Sequence, residues 1–315
     1  MTRRSAFTLI ELLIVAAIFA MLFGMVLAVS RPSMSGQVKQ AAQSIAGVLL
    51  QQQSRALGSP SGAGVILLPA TGTAATVLAA ADMRPAITGS CTSGMPPADL
   101  AATSAAISIT PTNAEAADLD DGYKIRFEER PGQPPTAWMA FASNVVSFRA
   151  AGGQTTQNTI WPRPLPGGTL DVAIARYPGQ GAKLLELPRN TAIDLRYSGT
   201  GDDPGTTWGG LADKGAIALT FDTVGGLDAL MQQVLTPGAR TAQPLHPLSP
   251  VYLLVARGED VAADKSLSSE YSVWVAVHPQ TGRVSVAANV PQSATDAAAL
   301  RAARAKARAL VAIGK

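Results

Sequence analysis

Glu11 is the one charge in an apolar run that begins Phe7-Thr8-Leu9-Ile10 and meets no other charge until Arg31. A carboxylate in lipid costs about 2.5–3.5 kcal/mol at mid-membrane on insertion scales, and less near the edge. A segment that only anchored a protein would be better served by Leu at that position. An ionisable group in such a place is therefore a site for function, and its natural partner is an amine. If the chain is cut after Ala6, Phe7 starts the mature protein, and its ammonium can reach a carboxylate on a neighbouring copy.

Other residue types offer little competing chemistry. Cys91 is the only cysteine, so no intramolecular disulfide can form, and its setting Gly89-Ser90-Cys91-Thr92-Ser93-Gly94 reads as a structural thiol. The two histidines, His246 and His278, both lie in proline-bearing, loop-like sequence. No phosphate-binding glycine loop, His-Glu-x-x-His or paired-cysteine motif is present. The composition thus points away from an enzyme, and no cofactor is implied. Asp202-Asp203, between glycines and beside Pro204, could give oxygens to Ca²⁺, and Asp118, Asp120 and Asp121 form a second acidic loop. Both also read as solvated turns, because Asp, Gly and Pro are what turns demand.

The elements that position these residues can be read from periodicity. Leu12 to Val29 is close to a bilayer-spanning length. Arg3 and Arg4 precede it, which puts the N-terminus in the cytoplasm and the body outside. Past Pro32, Val38, Ala42, Ile45 and Leu49 form a helical stripe opposite a Gln-rich face. Gly58-Ser59-Pro60 stops the helix. A single helix from Thr8 to Ala56 would be about 70 Å long, kinked at Pro32.

The body holds 29 glycines and 22 prolines and only 15% charged residues, which favours strands and loops over a bundle. Removing Arg3 and Arg4 takes the formal charge from +3 to +1, so the mature protein is near neutral. Strands are expected at Val65–Leu68, Ala106–Ile109, Tyr123–Phe127, Leu170–Ile174, Ile193–Tyr197, Ala216–Phe221 and Val251–Ala256. An antiparallel hairpin is expected from Tyr271–Val277 and Arg283–Ala288, turning through His278-Pro279-Gln280-Thr281-Gly282. Residues 82–100 read as a long surface loop. A final helix begins after Ser293-Ala294-Thr295-Asp296, with Arg301, Arg304 and Arg308 on one cationic face and Leu300, Ala303, Ala307 and Leu310 on the apolar side. That face reads either as solvated or as a basic surface for anionic lipid, a protein partner or DNA.

The run from Arg3 to Val15, with its basic leader, small residue, Phe, polar residue, two aliphatics and Glu, resembles the class III signal of type IV pilins and type II secretion pseudopilins. The resemblance implies prepilin peptidase cleavage between Ala6 and Phe7, N-methylation of Phe7, and pairing of Glu11 with the Phe7 amine of an adjacent subunit. The family usually has Gly where Ala6 stands. Two plainer readings remain open: a secretory signal cleaved near Val26-Leu27-Ala28, leaving a β-rich secreted enzyme, and a simple single-pass anchor.

The strand Ala218-Leu219-Thr220-Phe221, the glycine turn Asp222–Gly226 and the late Gly282-Arg283 hairpin are similar to the heads of H-type pseudopilins and FimT-type minor pilins. Those heads are usually smaller, so segments 82–122, 150–168 and 225–250 would be insertions. The expected organisation is an α+β protein. It has a leader over 1–6, an N-terminal helix over 7–57 with 8–30 transmembrane, a β-rich head over 58–292, and a basic Ala-rich helix over 293–315. The implied role is a minor pseudopilin in the inner membrane with its head in the periplasm. Its implied partners are prepilin peptidase, an inner-membrane assembly platform, other pseudopilins or pilins, and secreted cargo. The alternative is a minor type IV pilin for DNA uptake, adhesion or motility.

Overall fold

The computed structural model describes residues 9–29, 34–92, 108–114, 122–128, 138–140, 169–202, 207–209, 215–232 and 249–313. The chain opens with helix α1 (Leu9–Val29) and helix α2 (Met34–Leu57). Both lie within the helix expected from the sequence, and the expected kink at Pro32 falls on residues 30–33, which lie outside the described residues. The apolar stripe of α2 is buried as its spacing requires: Val38, Ala41, Ala42, Ile45, Ala46, Leu49 and Ala56 all enter the main core. Its last turn closes through Gly58 N–H on Arg55 O and Ser59 N–H on Ala56 O.

Strands follow as β1 (Ala63–Thr71), β2 (Ala74–Asp82), β3 (Ile87–Thr92), β4 (Ser108–Pro111), β5 (Gly122–Phe127), β6 (Met139–Ala140) and β7 (Thr169–Arg176). They continue as β8 (Gly179–Glu186), β9 (Thr191–Thr200), β10 (Ile217–Phe221), β11 (Leu227–Gln232) and β12 (Val251–Arg257). After the short helix α3 (Gly258–Ala262) come β13 (Val273–Val277), β14 (Val284–Ala288) and helix α4 (Ala297–Ile313). The larger sheet runs β11-β10-β1-β2-β9-β12-β13-β14, with β8 also paired to β2. The smaller runs β4-β3-β7-β5-β6.

The large sheet is covered on both faces, and its central strands show why. In β12, Val251, Leu253 and Val255 point to the α2 core, while Tyr252 and Leu254 point to the opposite cluster beneath α4. In β13, Val273, Val275 and Val277 take the first side and Trp274 and Ala276 the second. Strands wet on one face would alternate apolar with polar, so the near-continuous apolar runs reflect burial on both sides. On the α4 side, Ala299, Leu300, Ala303 and Ala307 seat on a floor that includes Tyr197, Tyr252 and Trp274. Tyr252 and Trp274 meet edge-on, with ring centroids 6.1 Å apart. Trp274 donates its indole N–H to Asn289 Oδ1 at 2.9 Å.

The smaller sheet joins the larger one through a largely buried ion pair. Lys124 Nζ of β5 lies 2.7 and 2.6 Å from the two carboxylate oxygens of Asp228 in β11. Such a pair repays its desolvation only with close, two-oxygen geometry, which is the geometry present.

The sequence misjudged two segments. Residues 82–100 are not one loop, since β2 runs through Asp82 and β3 occupies Ile87–Thr92; residues 93–100 lie outside the described set. Ile87-Thr88-Gly89-Ser90-Cys91-Thr92 has little alternation of its own and is held as a strand by pairing between β4 and β7. Likewise β11 lies inside 225–250, paired with β10, while 233–248 is outside the described residues. Of the other expected insertion, residues 150–168 are outside them too.

Candidate functional site

Helix α1 carries 21 residues, of which Glu11 alone is charged. Ile10, Leu13, Ile14, Val15, Ile18, Phe19, Met21 and Leu22 are all exposed, between 46% and 70%. They surround the helix rather than striping one side. A helix apolar all round requires apolar surroundings, and among the described residues none cover these side chains of α1. Over the described side chains no helix is long and apolar enough to cross a membrane. In α1 those side chains are continuous only from Leu13 to Leu22, so a spanning role rests on the sequence of the whole helix. Glu11 is the third residue of α1, and Ala6 and Phe7 lie outside the described residues.

The far end of α2 is fastened at a corner. Gln53 Nε2 donates to Gly225 O at 3.0 Å and to Thr281 O at 2.7 Å, so one amide holds both the β10–β11 and the β13–β14 turns. Leu227 N–H donates to Pro279 O at 2.7 Å, which ties the turns directly. Asp222 Oδ1 shapes the first turn by accepting from Val224 N–H at 3.0 Å and Gly226 N–H at 2.8 Å. The second turn needs glycine: Gly282 has φ +60°, and a Cβ there would lie 2.0 Å from Gly225 O. The glycines that carried the resemblance to H-type heads therefore meet in space. Gln53 was not singled out, because it reads as part of the polar Gln-rich face. Its signal is position, one turn from the helix end and before Gly58.

The three C-terminal arginines do not form one surface. Arg304 is fully buried and donates to Tyr197 O at 2.7 Å, Gly201 O at 2.7 Å and Thr200 O at 3.4 Å, with Tyr252 stacked 5.6 Å from its guanidinium. It is a bolt between α4 and the end of β9, not a partner surface. Arg308 lies 3.2 Å from Asp202 Oδ2. Arg301 and Lys306 stay exposed. The Ca²⁺ expectation at Asp202 and Asp203 is not decided by that contact, since Asp203, with Asp118, Asp120 and Asp121, lies outside the described residues. Among the described residues no three His, Cys, Asp or Glu side chains gather as a metal site. Cys91 lies in β3, paired with Ile109 and Leu170. His278 is an exposed turn residue whose Nδ1 lies 3.4 Å from Thr281 Oγ1, and His246 is outside the described residues.

Two tyrosines under α4 make the head less stable in alkali. Burial, followed by the hydrogen bond to Asp264 Oδ1 at 2.7 Å, raises the Tyr197 phenol well above its ordinary 10.0. Burial and then the nearby Asp202 raise Tyr252. Unfolding frees both to ionise near their ordinary value, so their contribution is complete below pH 10.0 and is lost as pH rises above it. Urea midpoints should fall above that pH, and by less in the Tyr197→Phe, Tyr252→Phe double variant. Parallel curves would show that neither phenol matters.

Residues 1–27 match the prokaryotic N-terminal methylation motif. Neither a curated protein nor a solved structure matches the chain. The motif supports a type IV pilin-like or pseudopilin subunit, processed by prepilin peptidase, N-methylated and assembled with other pilins. It fits an inner-membrane-anchored protein and points to a structural filament subunit, a class generally without enzymatic activity. The β-rich head with an N-terminal helix agrees with that class.

Proposed function

We propose that the protein is a minor pseudopilin of a type II secretion system, cut between Ala6 and Phe7, methylated on Phe7 and assembled through α1. The observation that carries this reading is the methylation motif running directly into a helix whose described apolar side chains find no cover among the described residues. In the membrane α1 is surrounded by lipid, and in the filament by equivalent helices. Glu11 then meets the Phe7 ammonium of a neighbour. A buried charge pair adds little net stability, but it sets register, because a misplaced subunit leaves a charge unpaired. The H-type resemblance of the β10 turn and the β13–β14 hairpin supports the minor-subunit assignment. The DNA-uptake alternative is less favoured, since Arg304 is withdrawn from the cationic face and Arg308 has an acid beside it.

Mass spectrometry of the mature N-terminus tests the processing: N-methyl-Phe7 is expected, dependent on prepilin peptidase, and a start at Val29 would end the reading. Deleting the gene should retain exoproteins in the periplasm. Normal secretion with impaired DNA uptake would transfer the protein to the pilus class.

A further inference from the structure

Oxygens collect where the turn after β10 faces the turn after β13. Asp222 commits one carboxylate oxygen, Oδ1, to the N–H groups of Val224 and Gly226. The other, Oδ2, accepts no hydrogen bond among the described residues. It lies 3.3 Å from the point where a Cβ on Gly226 would stand. Pro279 O is also 3.3 Å from that point, and Gln280 O is 3.1 Å from it. The three oxygens thus line one small space, left open because residue 226 is glycine. Gly226 and Pro279 are buried, Asp222 is half-buried and Gln280 is exposed, which puts the space at the margin of the core.

The donors of this corner are spent elsewhere. Gln53 Nε2 goes to Gly225 O and Thr281 O, and Leu227 N–H goes to Pro279 O. Gln280 O accepts nothing among the described residues. A carboxylate oxygen beside two carbonyl oxygens, with no proton between them, is repelled by both. Asparagine would end that conflict. Its Oδ1 would take the same two N–H bonds, turns accept it as readily as Asp, and its amide nitrogen would donate to the two carbonyls. Aspartate is the better residue only if something positive enters the space.

We propose that Asp222 Oδ2, Pro279 O and Gln280 O hold a hard divalent cation, with water completing its shell. Oxygen ligands alone suit Ca²⁺ or Mg²⁺ over softer metals, and an irregular set of carbonyls suits the flexible shell of Ca²⁺ better than the strict octahedron of Mg²⁺. With a single carboxylate the affinity is weak, with a Kd on the order of 10⁻³ M. The ion would join the β10–β11 turn to the β13–β14 turn, next to the Gln53 amide that grips both. This place is distinct from Asp202, which follows β9 and lies against Arg308. The inference does not depend on the proposed function.

The test uses the full chain in detergent micelles, stripped with EDTA and titrated with CaCl₂ or with NaCl of equal ionic strength. At about 10 mM Ca²⁺ the melting midpoint should rise by about 3 °C, and NaCl should not raise it. Asp222→Asn should abolish the rise, yet melt no lower than wild type in EDTA because its amide satisfies the carbonyls. Gly226→Ala should also abolish the rise, since its methyl fills the space with the Asp222 charge intact. Equilibrium dialysis with radioactive calcium should show each variant binding one ion fewer. That loss in Asp222→Asn, with an unchanged circular dichroism spectrum, supports the site even if Gly226→Ala fails to fold. Three results overturn the proposal: no rise specific to Ca²⁺, equal calcium binding by wild type and Asp222→Asn, or an Asp222→Asn protein that melts below wild type in EDTA.

Discussion

Glu11→Val should leave cleavage after Ala6 intact and abolish incorporation into filaments, read by shearing cells and comparing the sheared and membrane fractions. The substitution makes α1 more apolar, so insertion into the membrane is preserved or improved. What it removes is the partner for the Phe7 ammonium. In a filament core that ammonium would be desolvated without a counter-charge, and breaking a buried pair by deleting one member costs about 3–5 kcal/mol. At that cost, incorporation falls by roughly two to three and a half powers of ten if assembly is near equilibrium, at about 1.4 kcal/mol per power. Glu11→Asp should recover part of it, since the charge remains on a shorter arm. Wild-type incorporation of Glu11→Val would refute the pairing.

Arg304→Ala should destabilise the head by about 3 kcal/mol or more, because it strips donors from buried carbonyls and opens a cavity under α4. The carbonyls of Tyr197, Thr200 and Gly201 converge on that guanidinium, and Arg304 has no exposed surface. Arg304→Lys should rescue little, since an ammonium cannot reproduce a planar fork aimed at separate acceptors. Chemical denaturation followed by tryptophan fluorescence reads the effect directly, because Trp274 lies in the same cluster. A loss under about 1 kcal/mol in Arg304→Ala would mean that water replaces the guanidinium and that the bolt is dispensable.

These two residues mark the range of what could be read from sequence. Glu11 was legible because a carboxylate among aliphatics is chemically out of place. The stripe of α2, the buried runs of β12 and β13, and the hairpin turning at Gly282 were legible for a similar reason: period, apolarity and turn chemistry agree locally. Arg304 was placed on the wrong face. Arginines spaced three and four apart suggested one cationic side, yet Arg304 stands four residues after Leu300 and beside Ala303, within the stripe that packs on the sheet. The geometry was available, but burial of a guanidinium becomes reasonable only when acceptors converge on it, and those come from residues about a hundred positions earlier.

Strands β2, β3 and β8 escaped for another reason. Their many Ala and Gly residues carry weak strand propensity, and pairing across long separations decides their state. The order of the large sheet, with β1 between β10 and β2, follows from no local pattern.

The corner at Gln53 has a mechanical meaning. The hairpins it grips, β10–β11 and β13–β14, stand at opposite ends of the strand order. A pull that reaches α2 from its N-terminal side is therefore divided at the far end of the helix between the first and last margins of the sheet. Neither margin can peel away alone, since each is strapped to the other by Leu227 and Pro279. Load is shared, and the head resists extraction as a single body.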